Sequence, residues 1–239
     1  MKGFGVKIYN FGFLHTDTNF MHVHHLLEKN SIANTFVAQL RNVNIQTDRL
    51  RFRRNIERLG EILGYELSKN LKFQEEEIQT PLGTANVPLH KEELVICSIL
   101  RAGLPLHTGL LNYFDAADNS FISAYRHHPN DDEEFEILVE YLASPSLEGK
   151  TLILADPMLA TGRSFVNVLQ ALEKMGKPKQ IHLVSVIAAR EGIEYLEKSF
   201  PENSHLWVAT IDENLDEKGY IVPGLGDAGD LCFGSKKQH

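Results

Sequence analysis

The chain predicts an α/β fold: a mostly parallel central sheet with helices on both faces, plus an N-terminal helix and a small β-hairpin arm. Three observations carry that expectation. From residue 94 onward, apolar runs of strand length alternate with amphipathic segments of helix length. The connections between them are short, as in parallel sheets wound with crossover helices. The runs themselves, Leu94–Leu100 and Thr151–Ala155 among them, are nearly continuous in apolar residues, the pattern of strands covered on both faces.

Along the chain, Thr47 or Asp48 caps a long helix in which Phe52, Ile56, Leu59, Leu63 and Leu67 form one apolar stripe. Its other faces carry Arg49, Arg51, Arg53, Arg54 and Arg58, read as a solvated face or subunit contact, with nucleic acid or an anionic effector as the alternative. Residues 72–89 form a hairpin around a Thr80-Pro81-Leu82-Gly83 turn, and Pro88 places its second strand at an edge. Then follow a strand at 94–100, a helix at 104–113 and strands at 121–125 and 151–155. Phe165, Val168, Leu169, Leu172 and Met175 repeat at helical spacing before a stop at Gly176 and Pro178. A strand at 181–189, a helix at 193–200 ended by Pro201 and a strand at 206–211 complete the alternation. No repeat or low-complexity linker divides the chain, so residues 1–239 read as one domain, with 1–40 as an N-terminal extension and 72–89 as an arm.

At 239 residues, 43% apolar and 23% charged, the chain can bury a substantial core. Its net charge of -8 argues against nucleic acid or a membrane surface as partner, since both rest on a positive field. Two cysteines, Cys97 and Cys232, are too few for a disulfide framework, and no segment has membrane-spanning length, so the expected location is cytoplasmic. The 11 histidines include His22, His24, His25, His127 and His128, and no cysteine or carboxylate pattern at metal-ligand spacing accompanies them. They are expected to be surface or packing residues. The acidic run from Asp131 to Glu134 reads as a solvated loop able to close over a ligand.

In such sheets ligands bind beyond the carboxyl ends of the strands. Asp156-Pro157-Met158-Leu159-Ala160-Thr161-Gly162-Arg163-Ser164 directly follows a strand there. It offers a carboxylate for sugar hydroxyls, a glycine turn, and a helix start near Ser164 whose unpaired N–H groups suit a phosphate. Arg101, after the strand ending at Leu100, and Arg126, after Tyr125, are placed to donate to phosphate or diphosphate oxygens. The segment 219–230 holds four glycines and Pro223 and is expected to be too irregular for helix or strand. With Ile221 as an apolar wall and Gly226 and Ala228 offering backbone groups, it suits a small planar base.

On these motifs the chain resembles the uracil phosphoribosyltransferases, a type I phosphoribosyltransferase family, from about Arg41 to Gly234. Generic phosphoribosyltransferases usually have two acidic residues where this chain has Asp156-Pro157. The resemblance implies transfer of ribose 5-phosphate from 5-phosphoribosyl 1-diphosphate (PRPP) to N1 of uracil, giving UMP and diphosphate, with Mg2+ carried by the substrate diphosphate. It places the 5-phosphate on residues 160–164, the ribose hydroxyls on Asp156, and diphosphate on Arg101 and Arg126. Ile221, Gly226 and Ala228 then frame uracil, with Asp227 near the ribosyl substrate or its magnesium. A homo-oligomer, dimer or tetramer, is implied, and GTP is an effector in some relatives. One departure stands in the loop: the family pattern has a second glycine where this chain has Arg163. The turn is expected to survive because Gly162 remains. A paralogue with another base specificity and a nucleotide-sensing regulator that binds RNA through the arginine-rich helix are the alternatives.

Overall fold

The computed structural model describes residues 21–127 and 136–236, with backbone alone for 124–127 and 136–140. The first elements in chain order are β1 (His22–His25), α1 (Ala33–Arg41), α2 (Arg49–Ser68), β2 (Phe73–Thr80), β3 (Gly83–His90), β4 (Leu94–Leu100) and α3 (Gly103–Leu111). They are followed by β5 (Asp118–His127), β6 (Glu136–Ala143), β7 (Thr151–Ala155), β8 (Met158–Leu159), α4 (Arg163–Leu172), β9 (Gln180–Ala189) and α5 (Arg190–Ser199). The chain closes with β10 (His205–Asp212), β11 (Asn214–Leu215), β12 (Ile221–Val222) and α6 (Ala228–Phe233).

The central sheet runs β1-β10-β9-β7-β4-β5-β6, with β8 as a further partner of β9. Every pairing in it is parallel except β5 with β6. Successive side chains of a strand point to opposite faces, and the core divides accordingly. Leu94 and Ile96 of β4 pack with Phe52, Leu59, Leu106 and Leu110 of α2 and α3, whereas Val95, Cys97 and Ile99 pack with Phe165, Val168, Ile193 and Leu196 of α4 and α5. The helices therefore cover both faces, as the alternation predicts.

Asp48 caps α2, its side chain accepting from the Arg51 N–H at 3.1 Å, and the predicted stripe is buried against the sheet. Four of the arginines on the other faces are engaged within the chain, Arg51 by an ion pair with Asp48 at 3.6 Å. Arg53 donates to the Cys232 carbonyl at 2.6 Å, Arg54 pairs with Glu57 at 2.7 Å, and Arg58 lies over the Phe36 ring at 5.1 Å. β2 and β3 pair only with each other among the described residues, forming the expected arm with Leu82 fully exposed at its tip.

Four differences from the sequence reading have local causes. β5 runs from 118 to 127 rather than 121 to 125 because its polar ends pair with β4 and with β6, an antiparallel edge strand. α5 begins at Arg190, ahead of its first apolar residue Ile193, directly after β9. α3 begins at Gly103. The segment 219–230 is less irregular than its glycines suggest: Ile221–Val222 pairs with Asn214–Leu215, and a short helix starts at Ala228, capped by Asp227. The acidic run 131–134 and His128 lie outside the described residues.

α2 and α3 cross closely at glycines. A Cβ on Gly109 would fall well inside contact distance of the Glu57 carbonyl oxygen, and one on Gly60 would lie 2.8 Å from the Leu106 carbonyl oxygen. Helix propensity alone favours alanine over glycine by ~1 kcal/mol. Gly109→Ala is nevertheless expected to destabilise by about 1–3 kcal/mol in urea unfolding, because the helices must separate.

Candidate active site

β7 and β4 are sheet neighbours, and their carboxyl ends deliver Asp156 and Arg101 to one edge. The turns that follow touch: a Cβ on Gly103 would lie 3.3 Å from the Ala155 carbonyl oxygen. Beneath the Arg101 turn lies a buried polar chain. His107 Nδ1 is 2.8 Å from the Ser98 hydroxyl and its Nε2 is 2.7 Å from Asn119 Oδ1. This chain ties α3 to β4 and β5.

The segment after β7 is bound to the sheet before it turns. The Val186 and Ile187 N–H groups both donate to the Pro157 carbonyl at 3.0 Å, and Met158–Leu159 pairs with β9. Gly162 then takes φ +78°, a left-handed conformation that side chains rarely adopt, and α4 begins at Arg163. A Cβ there would lie 2.9 Å from the Gly192 carbonyl oxygen, and Gly192 itself is pressed against the Ala160 carbonyl. α5 thus backs the loop. Gly162, the N-cap of α4, has no side chain to cap the helix, and a helix start directs backbone N–H groups at the space before it. Arg163 is exposed and its backbone is not left-handed, so the residue that replaces glycine brings no strain.

Asp156 is half-buried at the carboxyl end of β7. Burial pushes its side-chain carboxyl up to about 7, against the relief from the Met158 N–H, which donates to Oδ1 at 3.2 Å.

Arg101 follows β4 through a cis peptide with Leu100 and reaches across to the C-terminal segment. It donates to Asp230 Oδ1 at 2.8 Å and to the Gly234 carbonyl at 3.2 Å. Asp227 caps α6 by accepting from the Asp230 N–H at 2.9 Å, and Lys236 lies 3.8 Å from its other oxygen. The cationic and base-side candidates are therefore in contact. Ile221 and Ala228 are buried in the core under this segment, and Gly226 is exposed with φ +89°. Arg126 lies farther out. β5 pairs Ser123 with Leu100 and continues, so the Arg126 backbone is three residues past the end of β4, opposite Ile137; its side chain lies outside the described part.

A family profile described as uracil phosphoribosyltransferase matches residues 27–235. The chain belongs to the uracil phosphoribosyltransferase family. A uracil phosphoribosyltransferase of Porphyromonas gingivalis is 50% identical over 216 residues, covering 90% of this chain and all of the relative. One from Methanococcus vannielii is 43% identical over 201 residues, covering 83% of this chain and 84% of its own. Among solved structures, the AQ2163 protein from Aquifex aeolicus aligns with a TM-score of 0.79 at 32% identity, over 89% of this chain and 98% of that one.

In this uracil phosphoribosyltransferase family member, two features of the site escape a reading of the sequence. The Ser98–His107–Asn119 chain joins residues of two strands and a helix, with no shared motif. The second is an ion pair between Arg41 and Asp212, described below. Only the positions of these residues, at the last turn of a helix and the end of a strand, hint at a role in positioning loops.

Proposed function

We propose that the chain transfers ribose 5-phosphate from PRPP to N1 of uracil, releasing diphosphate and forming UMP. The observation that carries this reading is the contact of Arg101 with the Asp227–Asp230 segment at the same edge as Asp156 and the Gly162 turn. Phosphate, sugar, diphosphate and base are then addressed from one side of the sheet.

In this reading the N–H groups of residues 160–164 hold the 5-phosphate, Asp156 accepts from the ribose hydroxyls, and Arg101 and Arg126 hold the diphosphate. As the C1–O bond to diphosphate breaks, positive charge grows on the ribose and negative charge on the leaving group. Asp156 stabilises the first and the arginines the second, while the base segment holds N1 against C1. The proton on N1 is lost to solvent as the new bond forms. Backbone groups at Gly226 and Ala228 match the carbonyl, N–H, carbonyl edge of uracil. Cytosine presents an amino group there instead, at a cost of about 1–3 kcal/mol for each buried group left unpaired.

Among the described residues, no three His, Cys, Asp or Glu side chains converge as ligands for a metal ion. The oxygen donors Asp156 and Asp227 suit a hard cation that keeps several waters and arrives on phosphate oxygens, which fits Mg2+ bound through the diphosphate. Bound in that way, such an ion would supply positive charge to the diphosphate beside Arg101 and Arg126. The same reading includes a homo-oligomer, for which the exposed arm with Phe73, Ile78, Leu82 and Leu89 supplies apolar surface, a cytoplasmic location, and GTP as an effector.

Incubating the protein with labelled uracil, cytosine, hypoxanthine or orotate, plus PRPP and Mg2+, tests the reading. UMP is the expected product; its absence overturns the proposal, and turnover of another base redirects it. Arg163→Gly is expected to change PRPP affinity by less than about tenfold in calorimetry, because one exposed cation is worth ~0–1 kcal/mol.

A further inference from the structure

Arg41 is the last residue of α1, and Asp212 is the last residue of β10. They form a two-pronged pair, with Arg41 Nη2 2.6 Å from Asp212 Oδ1 and Nη1 2.7 Å from Oδ2. The pair also takes both backbone polar groups of Gly224. Arg41 Nη1 donates to the Gly224 carbonyl at 3.0 Å, and the Gly224 N–H donates to Asp212 Oδ2 at 2.8 Å. Gly224 is buried with φ +61°, folded so tightly onto Ile221 that a Cβ would collide with the Ile221 carbonyl oxygen. One residue further on, the Gln46 side-chain amide donates to the Leu225 carbonyl at 3.2 Å and to the Leu40 carbonyl at 2.8 Å. The chain that leaves this clamp is Gly226, Asp227 and Ala228.

We infer that Arg41 and Asp212 are positioning residues for the base: their ion pair fixes where the Gly226–Ala228 backbone presents its donor and acceptor groups. This inference rests on the uracil reading of that segment. The clamp is built for position. Burial alone would raise the Asp212 carboxyl, but the Arg41 guanidinium and the Gly224 N–H outweigh it and hold it below the ordinary carboxylate range. A planar guanidinium bonded to both carboxylate oxygens and a carbonyl has little freedom to turn. Gly226 and Ala228 carry no polar side chain, so base selection at these positions falls to the main chain, and a main chain is only as selective as its anchors are rigid. A displacement of about 1 Å is enough to cost on the order of 100-fold in such geometry.

Arg41→Lys keeps the charge and loses the fork, and Asp212→Asn keeps an acceptor and loses the ion pair. Uracil KM is expected to rise about 10–100-fold in both variants, the loss of one or two buried bonds, with PRPP affinity in calorimetry and kcat at saturating uracil changed less than about threefold. The wild-type protein is the control for the underlying reading. If it forms no UMP, the uracil assignment falls. If it forms UMP and both variants keep the wild-type uracil KM, the positioning inference alone is wrong. Equal weakening of uracil and PRPP, or loss of PRPP binding altogether, also overturns it, because that is the signature of a purely structural pair.

Discussion

Asp156→Asn is expected to lower kcat by about 10²–10³, the range found when one preorganised electrostatic partner of a developing charge is removed. The amide keeps the shape and a hydrogen-bond acceptor for a ribose hydroxyl but removes the negative charge beside C1. A second consequence separates this role from a structural one. Burial raises the Asp156 carboxyl to about 7, so in the ligand-free protein it is half ionised near neutrality. Values of kcat/KM for PRPP, which report the free enzyme, should therefore rise with pH up to about 7 in the wild-type protein and lose that limb in the variant. A carboxyl whose folded pKa is raised destabilises the fold above its unfolded value, increasingly so as pH rises toward the folded one. Replacing it with a neutral amide should raise the thermal midpoint at pH 8 while activity falls. Unchanged activity, or joint loss of activity and stability, would show that Asp156 is not the charge partner.

That Asp156 and the Gly162 turn read clearly from sequence has a physical reason. A buried parallel strand, a glycine turn and a helix start are local events, each written in consecutive residues. The same holds for the capped apolar stripe of α2 and for the arm around Gly83. Long-range pairing is different. Nothing in His22–His25 says that it extends the central sheet, because its only strand neighbour among the described residues is β10, some 180 residues later. The Arg41–Asp212 pair is hidden for the same reason, separated by 171 residues. The glycines of 219–230 misled in the opposite direction. They mark close approaches and left-handed turns at Gly224 and Gly226, and on either side of these sites the chain still pairs Ile221 with Leu215 and starts a helix at Ala228.

The histidines that show no metal-ligand pattern predict instead the largest pH effect on stability. The parallel register aligns His22 of β1, His205 of β10 and His182 of β9 in one row across the sheet, and sets His24 against Trp207 in the next. His24 stacks on the Trp207 indole with centroids 3.7 Å apart and meets His205 at 3.1 Å between ring nitrogens, while the Trp207 N–H donates to His182 Nδ1 at 3.1 Å. His182 Nε2 is buried and has no hydrogen-bond partner among the described residues. Burial first, then mutual repulsion, lowers His24 and His182 to about 3 and His205 to about 4. All three stay neutral in the fold at pH 5, whereas in the unfolded chain, near 6.5, they are mostly charged. Unfolding then takes up protons, so the stability present above pH 6.5 is lost as pH falls. Each group loses about 2 kcal/mol between pH 7 and 5, at most about 6 for the three. Asp156 works the other way, regaining roughly 2 kcal/mol as it becomes protonated in the fold, which leaves a net loss of at most about 4 kcal/mol, a large part of a typical 5–15. Urea unfolding at pH 7.5 and 5.0 measures this difference. His205→Phe, which preserves stacking and cannot titrate, should flatten it by about 2 kcal/mol. Asp156→Asn, which removes the opposing group, should steepen it by a similar amount. A wild-type stability that does not change between the two pH values would mean that the histidine row is charged in the fold or open to water.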